Sequence, residues 1–142
     1  MIDPLTAATS VAGLLSLTIQ VSQILYEQVH TVKNAPRDAQ ELLDEFELLR
    51  KVLRSLEEFL RTQALQGHSF KETSVLVSAI RGCDDKINAV KLRVEKLVRK
   101  QGFAQMLERG KWYYEHGEHQ ELITSLHRYL AMFQISLNVD GM

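Results

Sequence analysis

The chain has 142 residues, a formal net charge of −1, 45% hydrophobic residues, two prolines and one cysteine. That length suits a single domain, residues 1–142, with one core that needs no metal or disulfide to hold it. The balanced charge gives no electrostatic footprint for nucleic acid. The single Cys83 leaves no intramolecular disulfide and suits a reducing compartment. The first charged residue is Asp3, so the opening lacks the basic start of a secretory signal.

The first helix is predicted over about 4–33. Asp3 is a good N-cap, Pro4 fits the first helical position, and Pro36 disfavours helix just before it. A second helix is predicted over 36–65. Its apolar residues Leu42, Phe46, Leu49, Leu53, Leu56 and Leu60 recur in steps of four and three, a single stripe on a helix. Gly67 supplies the stop.

Ser69-Phe70-Lys71-Glu72 reads as a capping box that opens a third helix over 70–101. Its stripe is Leu76, Ile80, Cys83, Ile87, Val90, Val94 and Leu97, and Gly102 follows it. Gly82 inside that helix costs about 1 kcal/mol relative to alanine, a cost that close helix contact or a slight bend would explain. Phe103, Met106 and Leu107 suit a short extra helix. The last long helix is predicted over 117–137 with Leu122, Leu126, Tyr129, Phe133 and Leu137 inward. The expected fold is all-α, an antiparallel four-helix bundle with a short extra helix before the last long one.

No charge occurs between Asp3 and Glu27. One account is a central helix buried on most sides, which is uncharged all round. The other is a conditional membrane segment, docked in the soluble form and inserted when released. The stretch is long enough to cross a hydrocarbon core of about 30 Å. Thr9 with Gly13, and Ala12 with Ser16, have the spacing at which helices approach closely in lipid. The membrane-active residues on this reading are Leu5, Val11, Gly13, Leu14, Leu15, Leu17, Ile19, Val21 and Leu25.

A basic run of Lys91, Arg93, Lys96, Arg99, Lys100, Arg109 and Lys111 contrasts with an acid-rich stretch from Asp38 to Glu58. The run reads as a solvated face, or as a basic helix end facing an acidic one. The functional alternative is contact of Lys91, Arg93, Lys96, Arg99 and Lys100 with anionic lipid head groups. His116 and His119, beside Glu115 and Glu118, do not complete a metal-ligand set and read as exposed polar residues. Cys83 reads as a small buried hydrophobe. Trp112, Tyr113 and Tyr114 read as an end cap of the bundle, with a membrane-interface anchor as the alternative. No catalytic or cofactor-binding residues are expected, and no enzyme motif occurs.

The opening Met1-Ile2-Asp3-Pro4-Leu5-Thr6-Ala7-Ala8-Thr9-Ser10-Val11-Ala12-Gly13-Leu14-Leu15 resembles the start of HeLo-like domains, the fungal N-terminal domains of STAND (NLR-like) proteins. The stretch Asn34–Leu60 and the closing Leu137-Asn138-Val139-Asp140 are also similar. Where that family often has Trp-Pro-Phe, this chain has Trp112-Tyr113-Tyr114. The resemblance covers nearly the whole chain. It implies kinship with the HeLo domain of fungal incompatibility prion proteins and with the four-helix bundle of the necroptosis executioner pseudokinase.

It also implies a cell-death effector, in innate immunity or heterokaryon incompatibility, that oligomerises and permeabilises the plasma membrane through its first helix. The implied partners are membrane lipids, further copies of the chain, and an NLR-like or amyloid-forming activator, with no nucleic acid and no cofactor. The implied location is cytoplasmic when inactive and the plasma membrane when activated, and the chain would be an effector domain cut from a longer protein or a protein shortened to that domain. The alternative is a non-lytic oligomerisation or adaptor domain of an NLR-like receptor.

Overall fold

The computed structural model describes residues 3–33, 35–67, 73–99, 102–108 and 116–140. The capping box at 69–72, the aromatic run at 112–114, and Lys100, Arg109 and Lys111 lie outside the described residues. Five helices follow in order: α1 (Pro4–His30), α2 (Arg37–Leu65), α3 (Thr73–Arg99), α4 (Phe103–Glu108) and α5 (His116–Asp140). No strand occurs among the described residues.

The ends of the helices have local causes. Asp3 caps α1, its carboxylate accepting from the Thr6 N–H at 2.8 Å, with Pro4 next in the helix. That backbone N–H is the main reason the Asp3 carboxyl is held below its ordinary range. At the other end the Thr31 hydroxyl donates to the Gln28 carbonyl at 2.8 Å, taking up a last-turn acceptor. The helix therefore stops at His30, short of Lys33. Pro36 is the N-cap of α2, so that helix begins at Arg37. Gly67, at φ 71°, takes the left-handed conformation that ends α2, and its N–H donates to Ala64 at 3.2 Å.

The stripes of α2 and α3 meet in one core. Leu42, Phe46, Leu49, Leu53, Leu56 and Leu60 are buried, and so are Leu76, Ile80, Cys83, Ile87, Val90 and Val94. Leu97 is partly buried against them. In α5, Leu122, Leu126 and Phe133 are buried as expected, while Tyr129 and Leu137 are only partly so. Ile123 and Leu130 are buried in addition. Leu107 of the short α4 is fully buried.

The helices occupy four corners. α1 lies against α2 and α3, and α5 lies against the same two. Among the described residues no Cα pair within 8 Å joins α2 to α3 or α1 to α5. α2 and α3 are thus diagonal neighbours although they follow one another in sequence. Cross-contacts fix the directions. His119 meets Glu41 and His127 meets Glu45, so α5 runs parallel to α2. Arg93 meets Glu118, and Gly82 lies under Tyr129, so α5 runs antiparallel to α3. α4 packs on α1 and α3.

Gly82 is where α3 and α5 come closest to needing glycine. A Cβ there would lie 2.9 Å from two Tyr129 ring carbons and closer still to the hydroxyl. Gly82→Ala removes a helix penalty of about 1 kcal/mol but overpacks a site where such insertions cost about 1–3 kcal/mol. The expected net result in urea unfolding is a destabilisation that disappears when Tyr129→Ala is combined with it. An additive double mutant would show that the close approach carries no energy.

Candidate functional site

α1 is the helix whose composition is least ordinary. Its most apolar 18-residue window has mean hydropathy 1.4, and half of that window is buried. By length and composition it can cross a membrane, although core helices of soluble proteins meet the same test. Of the residues singled out by sequence, Val11, Leu14, Leu15, Val21 and Leu25 are buried in the core. Leu17 and Ile19 are partly buried against it. Leu5 is 54% exposed, and Gly13 faces solvent with nothing within 4 Å of where a Cβ would stand.

The account of α1 as a core helix holds for about half of its most apolar stretch. The helix packs on α2, α3 and α4 but leaves a full face open, because α5 sits at the opposite corner. From Leu5 to Tyr26 that open face carries Leu5, Thr6, Thr9, Ser10, Gly13, Ser16, Gln20, Gln23 and Tyr26, none of them charged, and its first charge is the exposed Glu27 in the last turns of the helix. The open face of α2 carries Arg37, Asp44, Lys51, Arg54, Glu58 and Arg61. Burial explains missing charge only on a buried face, so it does not explain the exposed side of α1.

Three of the hydroxyls on α1 are satisfied within the helix. Thr9 donates to the Leu5 carbonyl (3.1 Å), Ser10 to Thr6 (3.2 Å) and Thr18 to Leu14 (2.8 Å). Such back-bonding lets Ser and Thr sit where there is no water. Ser22, buried, donates instead to Glu47 of α2 at 3.2 Å, and Glu47 also pairs with Arg50.

The proposed head-group residues do not form one free patch. Lys91 lies 3.8 Å from Glu95 and Arg93 lies 3.7 Å from Glu118. Pairs this exposed are worth about 0–1 kcal/mol. Lys96 and Arg99 are exposed in the last turn of α3, where cations also complement the helix dipole. Lys100 lies outside the described residues. The basic end of α3 does not face the acidic stretch of α2, which is diagonal to it. The acids of α2 meet α5 instead, with Glu41 at His119 (2.8 Å) and Glu45 at His127 (2.6 Å).

His119 corrects an expectation. It is fully buried, not exposed, and its partners are on α2, far from it in sequence. Glu118, its neighbour, turns the other way to Arg93. The side chain of His116 lies outside the described residues. A polar local sequence such as His116-Gly117-Glu118-His119 carries no signal for this burial. The only hint is that position 119 lies three before the inward Leu122.

Cys83 is buried, and that burial, with a smaller contribution from the Asp84 charge, pushes its thiol up to about 12. The native thiol is then protonated and shielded at neutral pH. Labelling by an aromatic disulfide reagent is expected only at the rate of unfolding, and fast labelling of native protein would contradict this burial. The sign for stability follows. The unfolded thiol ionises at lower pH than the folded one, so this group destabilises the fold as pH rises above the ordinary thiol range.

Comparison with known proteins places these features in a family context. A family model described as "Pigment biosynthesis cluster protein PigL N-terminal" matches residues 2–140. The azaphilone pigments biosynthesis cluster protein L of Monascus ruber is 30% identical over 93 residues. That match takes in 66% of this chain and 20% of that protein, so the alignment spans about a fifth of the relative's length. No solved structure matches.

Proposed function

Given that the chain belongs to the PigL N-terminal family, we propose that it is a non-enzymatic effector domain of a fungal protein whose first helix enters a membrane after self-association. The observation that carries this reading is the outer face of α1 from Leu5 to Tyr26, uncharged although packing within the bundle does not account for it. A helix that must pass from protein into lipid has to be free of charge on every side. Its hydroxyls must also find acceptors on their own helix, as Thr9, Ser10 and Thr18 do.

The energetics require a trigger. Val11, Leu14, Leu15, Val21 and Leu25 are buried, and such side chains gain about 1.5–3 kcal/mol each, on the order of 10 kcal/mol together. Release into water would forfeit that sum, whereas lipid or a partner surface restores it. On this reading the domain stays in the cytoplasm as a closed bundle, and gathering several copies drives α1 into the plasma membrane and permeabilises it. The outcome would be cell death of the kind associated with HeLo-like domains. The exposed Lys96 and Arg99 add weak attraction to anionic lipid.

The second reading is a non-lytic adaptor, in which the uncharged face of α1 docks against another helix. The name of the Monascus relative ties that protein to a pigment biosynthesis cluster, whereas the reading for this chain rests on α1. The test is forced oligomerisation of the full chain, fused to an inducible dimeriser, with anionic liposomes loaded with dye. Leakage on oligomerisation is expected. Self-association with intact vesicles would favour the adaptor and reject permeabilisation.

A further inference from the structure

We propose that Asp38 and Glu41 of α2, with His119 of α5, form a site for a divalent transition ion of the zinc class that pins the start of α5 to the start of α2. This inference is independent of the membrane reading. Asp38 and Glu41 are one helical turn apart and share a face. The parallel course of α2 and α5 brings His119 to that face. Its Nε2 lies 2.8 Å from Glu41 Oε1 and 3.7 Å from Asp38 Oδ1. One ligand atom from each residue can be chosen so that all lie within 4.8 Å of one another.

Two facts separate this cluster from an ordinary surface group of acids. First, the imidazole is fully buried while the two carboxylates are 28% and 42% exposed. The nitrogen therefore approaches from the protein side, and the oxygens stand between it and solvent, where an ion and its water can enter. The positive end of α2 accounts for Asp38 in the first turn without any ion. It does not account for a buried imidazole turned toward both acids.

Second, a single proton on Nε2 lies along one nitrogen–oxygen line. At 2.8 Å that proton bonds Glu41, while Asp38 Oδ1 stands at 3.7 Å from the same nitrogen. A metal ion takes donation from all three. Ligand atoms bound at about 2.0–2.2 Å stand no more than about 4.4 Å from each other. Both nitrogen–oxygen distances already fall inside that limit.

The donor set selects the ion. One imidazole nitrogen with two carboxylates suits zinc and its first-row neighbours. Calcium takes about six to eight oxygens, and magnesium keeps most of its water. Three protein ligands leave one position for water, the composition of an open site. Here the ion would act as a clasp between helices.

The test uses the whole chain, stripped with chelator and desalted. Calorimetric titration with zinc chloride is expected to show one saturable ion per chain and a raised Tm, with no comparable rise from magnesium. Cobalt should give a visible absorption band on binding. Asp38→Asn and Glu41→Gln keep size and should keep the helical circular dichroism, yet each should weaken zinc binding at least about tenfold. Absence of saturable zinc binding in the parent chain would overturn the proposal. So would unchanged affinity in both variants, which would assign the ion to other histidines.

Discussion

Gly13→Glu is expected to leave the bundle folded and to abolish vesicle leakage, while Leu14→Glu one residue away is expected to unfold the chain. The two positions are adjacent in sequence and opposite in environment. Leu14 is 1% exposed and sits in the core between α1 and its neighbours. A carboxylate there would be buried with no partner, and the cost is several kcal/mol, a large part of the about 5–15 kcal/mol that holds a domain together. Gly13 stands on the open face with nothing within 4 Å. Replacing glycine there even gains about half a kcal/mol of helix propensity.

In lipid the difference reverses in meaning. A charge near the middle of a membrane-spanning α1 costs about 2.5–3.5 kcal/mol or more, so Gly13→Glu blocks insertion without touching the soluble fold. Gly13 lines a shallow groove with Arg81, Asp84 and Asp85 of α3. Gly13→Lys should therefore behave as Gly13→Glu does, which separates charge itself from the local field, and Gly13→Ala should retain activity. Leakage that survives both charged variants, with circular dichroism unchanged, would reject insertion of α1. Leu14→Glu cannot serve as the functional test, because lost activity there follows from lost fold.

The second large effect is on stability alone. Phe133→Ala on α5 should lower the unfolding free energy by about 3–5 kcal/mol. That corresponds to a fall in Tm of about 10–17 °C for a domain of this size. Phe133 and Phe46 are the largest fully buried side chains among the described residues. Truncating either removes contacts and leaves a void that rigid helices cannot close. Ile135, two residues on and 58% exposed, is the control, with an expected change within about 0.5 kcal/mol. Urea titration with an unchanged slope would confirm that stability, not compactness, has moved. A loss below about 1 kcal/mol for Phe133→Ala would mean that the core around α5 is loosely packed.

Sequence periodicity carried much of the fold because it reports the inward face of each helix. In α2 the six named stripe residues from Leu42 to Leu60 repeat every three or four positions and are all buried, although Ala39, Leu43 and Val52 on the flanks are buried as well. In α5 the same rule named Leu122, Leu126 and Phe133 but passed over Ile123 and Leu130, which lie on the flank of a wider buried face. A stripe does not say which helix covers it. The diagonal placement of α2 and α3 was therefore illegible, and with it the pairing of acidic α2 with the histidines of α5. The missing charge on α1 was plain in the sequence, but its natural explanation, burial, proved to apply to only one side of the helix. His119 stayed hidden because its partners, Asp38 and Glu41, become neighbours only once the parallel helices are in place.

The corner arrangement also decides what is left behind if α1 departs. Among the described residues the backbones of α2 and α3 stay more than 8 Å apart, and each of α1 and α5 packs against both. Taking α1 away removes one of two bridges, so α5 alone would still join α2 to α3 and the remainder would stay connected. It would carry an empty, leucine-lined channel the width of one helix. An identical α1 from another molecule has the right shape to occupy it, which makes exchange of first helices a natural way for these chains to link up.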